Sequence, residues 1–109
     1  MSTADVIRRY NDVFQLHDAA ALDALIAEDC VIENIDGTRT EGRAACVAWW
    51  TAIAENREAR FEIEDVFVAG EQAAIRWTYV HPGGSNRGVN LMRVRDGLIV
   101  EGLGYTKSA

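Results

Sequence analysis

The chain has 109 residues, of which 49% are hydrophobic, 26% charged and one is proline. That is enough for one globular domain with one core or a modest pocket, and the composition argues against disorder. The formal charge of −6 disfavours nucleic acid, since a phosphate binder needs a clustered basic face and the C-terminal arginines here are interleaved with acids.

Near the N-terminus, Ser2 or Thr3 is placed to cap a helix with Asp5 in its first turn, and Val6, Tyr10, Val13, Phe14 and His17 recur at helical spacing. Asp18 starts a second cap, and Leu22, Leu25 and Ile26 form the stripe of a short second helix that Glu28-Asp29 ends. Cys30 to Ile35 alternates as a strand and runs into the turn pair Asp36-Gly37. A third helix is expected from about Gly42 to Asn56, with Cys46, Trp49, Trp50 and Ile53 on one face. The rest reads as β structure. Strands are expected over 61–68, 73–81, 88–95 and 98–106, with Pro82 to Asn86 as a loop and Asp96-Gly97 as a tight hairpin turn. The order ααβαββββ implies an α+β fold, a curved antiparallel sheet with three helices from the N-terminal half on one face.

Within the third strand Ile75, Trp77, Tyr79 and His81 share a face, and in the fourth Asn90 and Met92 oppose a face carrying Leu91, Arg93 and Arg95. Arginines are costly to bury unpaired, so the faces with Trp77, Tyr79, His81, Asn90 and Met92 are expected to point inward. An apolar wall with a few polar tips is how a small-molecule pocket is lined. Phe14, Trp49, Trp50 and Ile53 would add to it from the helices. In the last strand Glu101, Leu103 and Tyr105 share one side and Gly102 and Gly104 the other, and either side is open to a ligand. Cys30 and Cys46 lie among apolar neighbours and read as buried thiols in a reducing, cytoplasmic compartment. No run of apolar residues is long enough to span a membrane, and no metal-ligand spacing or dinucleotide-binding glycine loop is present, so no cofactor is expected.

Three stretches, YNDVFQLHDAAALDALIAEDCVIEN, DGTRTEGRAACVAWW and VNLMRVRDGLIVEGLGY, together with the element order, resemble the nuclear-transport-factor-2-like superfamily across the whole of residues 1–109. The likeness is to its SnoaL-like polyketide-cyclase and ketosteroid-isomerase branch. The resemblance implies a cystatin-like, cone-shaped sheet around a deep apolar pocket, a small apolar ligand bearing oxygen, and commonly a homodimer. In the isomerases a tyrosine and a carboxylic acid, kept neutral by its apolar surroundings, donate to the enolate oxygen while an aspartate takes the proton.

By that resemblance Tyr10 falls on the tyrosine position, Asn34 on the base and Asn90 on or near the later acid. An amide has no useful pKa, so Asn34 cannot abstract a proton from carbon, and a standard ketosteroid isomerase is disfavoured. A proton would have to be moved by Asp36, two residues on, or by His81, whose imidazole type titrates near neutrality. Two functions follow: an enzyme carrying out isomerisation, cyclisation or epoxide hydration, or a noncatalytic binding or dimerisation module of the same fold.

Overall fold

A computed structural model describes residues 1–107 of the chain. Helix α1 spans Thr3–Gln15 and is started by Ser2. The Ser2 hydroxyl accepts from the Asp5 amide at 3.1 Å while the Asp5 carboxylate accepts from the Ser2 amide at 3.3 Å, a reciprocal cap. Its buried face is Val6, Ile7, Tyr10, Val13 and Phe14. His17 turns the chain at φ 53° and its ring Nδ1 lies 3.0 Å from the Ala54 carbonyl. The expected second helix is a 3₁₀ turn, Ala19–Ala21, capped by Asp18, and one α-helical turn, α2, Leu22–Leu25.

Strand β1, Ile26–Glu33, begins four residues earlier than the alternation indicates. Glu28 and Asp29 belong to it because its pairing with the last strand shifts between Ile26 and Val31, and that irregularity lets two successive residues face solvent. A short strand β2, Arg39–Glu41, pairs antiparallel with β1 and has no counterpart in the sequence pattern, since an exposed edge of three polar residues carries no alternation. Helix α3 is Arg43–Ala54, burying Cys46, Trp50 and Ala54. Strands β3 (Arg60–Ala69), β4 (Gln72–His81), β5 (Gly84–Arg95) and β6 (Leu98–Thr106) complete the fold. The expected Pro82 to Asn86 loop shrinks to a turn at 82–83, because Gly84 takes φ 135° and pairs at once with His81.

The six strands form one sheet in the order β2-β1-β6-β5-β4-β3. All neighbours are antiparallel except β1 and β6, which run parallel. Register shifts in three of the ladders bend the sheet around the helices. On the outer face the arginines are paired as their exposure allows: Arg76 with Asp65 at 2.8 Å, Arg87 with Glu64 at 3.1 Å, and Arg95 with Asp29 at 2.9 Å. An apolar stripe, Phe67, Ala74, Leu91 and Leu103, crosses that face from β3 to β6 through directly opposed positions. No described helix is long and apolar enough to cross a membrane.

Candidate functional site

Between the helices and the inner face of the sheet lies a pocket of about 250 Å³. Tyr10 and Phe14 reach it from α1, Trp49, Trp50 and Ile53 from α3, Trp77 and Tyr79 from β4, and Asn34 and Asn90 from β1's end and β5. Tyr10, Asn34 and Asn90 are thus brought to one cavity. Trp49 stands at its edge, 43% exposed, while Trp50 is buried.

The wall is a closed ring of side chains. Tyr10 meets Phe14 edge-on with centroids 4.8 Å apart, Phe14 meets Phe61 at 5.7 Å, and Phe61 meets Trp77 at 5.4 Å and 88°. Such edge contacts favour a fixed tilt of each ring. Asn90 closes the circle through two hydrogen bonds. The Trp77 indole N–H donates to Asn90 Oδ1 at 3.2 Å, and Asn90 Nδ2 donates to the Tyr10 hydroxyl oxygen at 3.3 Å. Trp50 packs on Tyr10 from outside the ring at 5.1 Å.

Two glycines make room for the indoles. A Cβ on Gly88 would overlap the edge of the Trp77 ring and the Tyr105 carbonyl oxygen, and one on Gly102 would stand 3.0 Å from Trp50 Cζ2. The glycine side of β6 therefore faces the pocket, with Gly102 and Gly104 in its lining. Glu101 is on the other side, opposite Arg93, with its carboxylate 4.0 Å from the guanidinium. Met92 is buried behind the wall, its sulfur 3.4 Å from the place a Gly102 Cβ would occupy, and does not line the cavity.

The two suspected proton carriers are not in the pocket lining. His81 ends β4, where its Nε2 lies 2.8 Å from Asn86 Oδ1 and its Nδ1 accepts from the Gly83 amide at 3.2 Å. The tight turn that stands in place of the expected loop holds the ring there. Asp36 is exposed in the β1–β2 turn and accepts from the Thr38 amide at 3.0 Å and hydroxyl at 2.7 Å. The Thr38 hydroxyl and amide hold its carboxyl below the usual range. Asp36 nevertheless touches the site through one intermediary, because Asn34 Nδ2 donates to the same Thr38 hydroxyl at 2.9 Å. Asn11 and Glu33 also border the cavity, two polar residues that alternation and helical spacing do not point to. Glu33 pairs with Leu103 on the outward side of the sheet, and its carboxylate lies 3.8 Å from Arg39.

Burial pushes the Tyr10 hydroxyl well above its ordinary value near 10 and the Cys30 thiol above its ordinary value near 9. Tyr10 is therefore a protonated donor throughout the neutral range. Between the ordinary and the raised values the unfolded chain has released these protons and the native chain has kept them, so stability falls as pH rises. Urea unfolding should show a declining free energy from about pH 9 upward, and Tyr10→Phe should flatten part of that slope. An unchanged slope in that variant would mean the hydroxyl is not shielded.

The SnoaL-like domain family matches residues 7–102, and the chain belongs to that family. Among solved structures it is similar to a nuclear-transport-factor-2-like protein of unknown function from Mesorhizobium loti, with 58% identity over 97% of this chain and 91% of that one and a TM-score of 0.95. It is similar to a candidate polyketide cyclase from Sinorhizobium meliloti, with 26% identity over 92% and 93% and a TM-score of 0.79. A steroid delta-isomerase from Pseudomonas aeruginosa shares the fold, with 14% identity over 97% and 80% and a TM-score of 0.85. Among curated proteins none matches the chain.

Proposed function

We propose that this SnoaL-like protein binds a small apolar molecule bearing an acceptor oxygen, and that Tyr10 donates to that oxygen at the buried end of the pocket. The observation that carries this reading is the Trp77–Asn90–Tyr10 hydrogen-bond chain, which ends on a buried hydroxyl in an otherwise aromatic cavity. Size narrows the ligand. A cavity of about 150 Å³ holds benzene, so 250 Å³ suits one or two rings rather than four. The isomerase and cyclase names of the structural relatives support an oxygenated carbocycle as the ligand type. Binding and polarisation are favoured over acid–base catalysis because, among the described residues, no imidazole and no carboxylate on the inward side of its strand lines the cavity. Chemistry that needs only a polarised oxygen suits this lining better than removal of a proton from carbon by the protein.

Equilibrium dialysis with 1-tetralone tests the proposal. Tyr10→Phe should weaken binding by about tenfold while leaving naphthalene binding unchanged, the difference expected for one buried hydrogen bond. Equal loss for both compounds would refute a role for the hydroxyl.

A second copy of the chain is proposed as the partner of the outer face. The apolar stripe through Leu91 is flanked by Arg76 and Arg93 as well as by Asp65 and Glu101, a two-signed border that suits a self-complementary contact. Sedimentation should give a dimer that Leu91→Arg converts to monomer; a monomeric wild type ends the idea.

A further inference from the structure

The polarity of the hydrogen-bond chain is set at the end remote from the ligand. An indole N–H is a donor only, so the group facing it must be an acceptor, and Trp77 therefore fixes Asn90 with Oδ1 toward the indole. The amide then has only its Nδ2 to offer Tyr10, and the hydroxyl receives that bond on its oxygen. The Tyr10 proton is consequently left free of Asn90 and available to the cavity, while the favourable acceptor direction of the phenolic oxygen is taken. Each bond polarises the next in the same sense. The register explains why the three groups meet. Asn90 lies opposite Ile75 on β4 and opposite Gly104 on β6, so it reaches Trp77 diagonally across the β4–β5 ladder, with no side chain at Gly104 to crowd it.

We infer that Asn90, held by Trp77, is a specificity-determining positioning residue that makes Tyr10 an obligate donor, so that the pocket selects carbonyl ligands over alcohols of the same skeleton. The inference rests on the binding role proposed above and adds the ligand's functional group. A ketone accepts the Tyr10 proton and has no donor of its own. An alcohol also accepts it, but its own hydroxyl proton meets a Tyr10 oxygen that already accepts from Asn90, and an unmade buried hydrogen bond is costly. The amide acts through Tyr10 and does not need to touch the ligand.

The test compares 1-tetralone with 1-tetralol in the wild type, Asn90→Leu and Trp77→Phe, by equilibrium dialysis. The readout is the ratio of the two affinities, since the hydration difference between the probes is common to all three proteins. The wild type is expected to prefer the ketone by about tenfold. Asn90→Leu frees the hydroxyl oxygen to accept, and the preference should fall to near parity. Trp77→Phe removes the indole N–H that holds the amide, and should lower the ratio in the same direction without touching Tyr10. It carries the test on its own if Asn90→Leu does not fold. The bound ketone's infrared carbonyl band should lie at lower frequency in the wild type than in either variant, a shift that loosened packing alone does not produce. Binding with an unchanged ratio and band in the folded variants overturns the inference and leaves the pocket reading intact. Binding of neither probe to the wild type overturns both.

Discussion

Gly88→Ala is expected to destabilise the fold by about 3 kcal/mol, the upper part of the range for forcing one carbon into a packed interior. The added methyl would meet two groups at once, the Trp77 ring and the Tyr105 carbonyl. A ring can tilt, but the carbonyl belongs to β6, which pairs with β5 from Gly88↔Thr106 onward. Trp77 cannot tilt freely either, because Phe61 meets it edge-on and its N–H is committed to Asn90. A second change, Trp77→Leu, should therefore restore only part of the loss. Gly104→Ala is the matched control. There a Cβ would stand 3.4 Å from Ile35 Cγ2 and 3.5 Å from Asn90 Oδ1, ordinary contact distances, so stability should change little while the pocket becomes smaller. Urea unfolding of the three variants checks the contrast, and a Gly88→Ala protein as stable as Gly104→Ala would show that Trp77 does not lie over the glycine.

Asn34→Asp is expected to convert a binding site into a weak isomerase. The new carboxylate would stand at the cavity lining that Tyr10 shares, supplying the missing proton acceptor. Its environment suits a base. The Thr38 hydroxyl now donates to Asp36 at 2.7 Å and accepts from Asn34, so two carboxylates would compete for that single proton. A like charge so near raises the affinity of the new group for a proton, which brings it closer to neutral pH. A substrate of matching size is 3-cyclohexenone: the carboxylate takes a proton from the carbon between carbonyl and alkene, Tyr10 donates to the enolate oxygen, and the proton returns at the far alkene carbon to give 2-cyclohexenone. A positioned base is worth ~10²–10⁴ in rate, so the variant should exceed wild type by at least about a hundredfold, followed by ultraviolet absorbance. Adding Tyr10→Phe should remove most of the gain. A folded variant that binds the ketone and isomerises it no faster than wild type would mean that Asn34 does not face the reacting carbon.

How far the chain's pattern predicts these arrangements differs from element to element. Alternation in β4 and β5 places Trp77, Tyr79 and Asn90 on the inner face, and the arginines on the outer one, because a guanidinium and an indole have opposite preferences for water. Helix α1 is legible for the same reason: its apolar face is continuous and its first turn carries a cap. Strand β2 is not, since a three-residue exposed edge is chosen by hydrogen bonding to β1 and not by burial. His81 and Asp36 both lie where alternation stops, and there local turn bonds to Gly83, Asn86 and Thr38 decide where a side chain goes. The link from Trp77 to Tyr10 through Asn90 depends on the register of two ladders and a contact 80 residues apart in the chain, neither of which leaves a mark in local spacing.

The place of β6 in the sheet also bears on how the molecule forms. It is the last strand described, yet it lies between β1 and β5, and it joins the parallel pair to the antiparallel meander. Without it, β1 with β2 and the run β3–β5 are separate ribbons in the sheet, each with an open edge, joined only through the helices packed on them. Contacts this distant along the chain close slowly, and both ribbons expose pairing edges while they wait. Completion of the sheet should therefore be a late event gated by residues 98–106. In chain order Gly102 and Gly104 are the last of the cavity's lining to be made, so the wall they form is the final part of the pocket to be added.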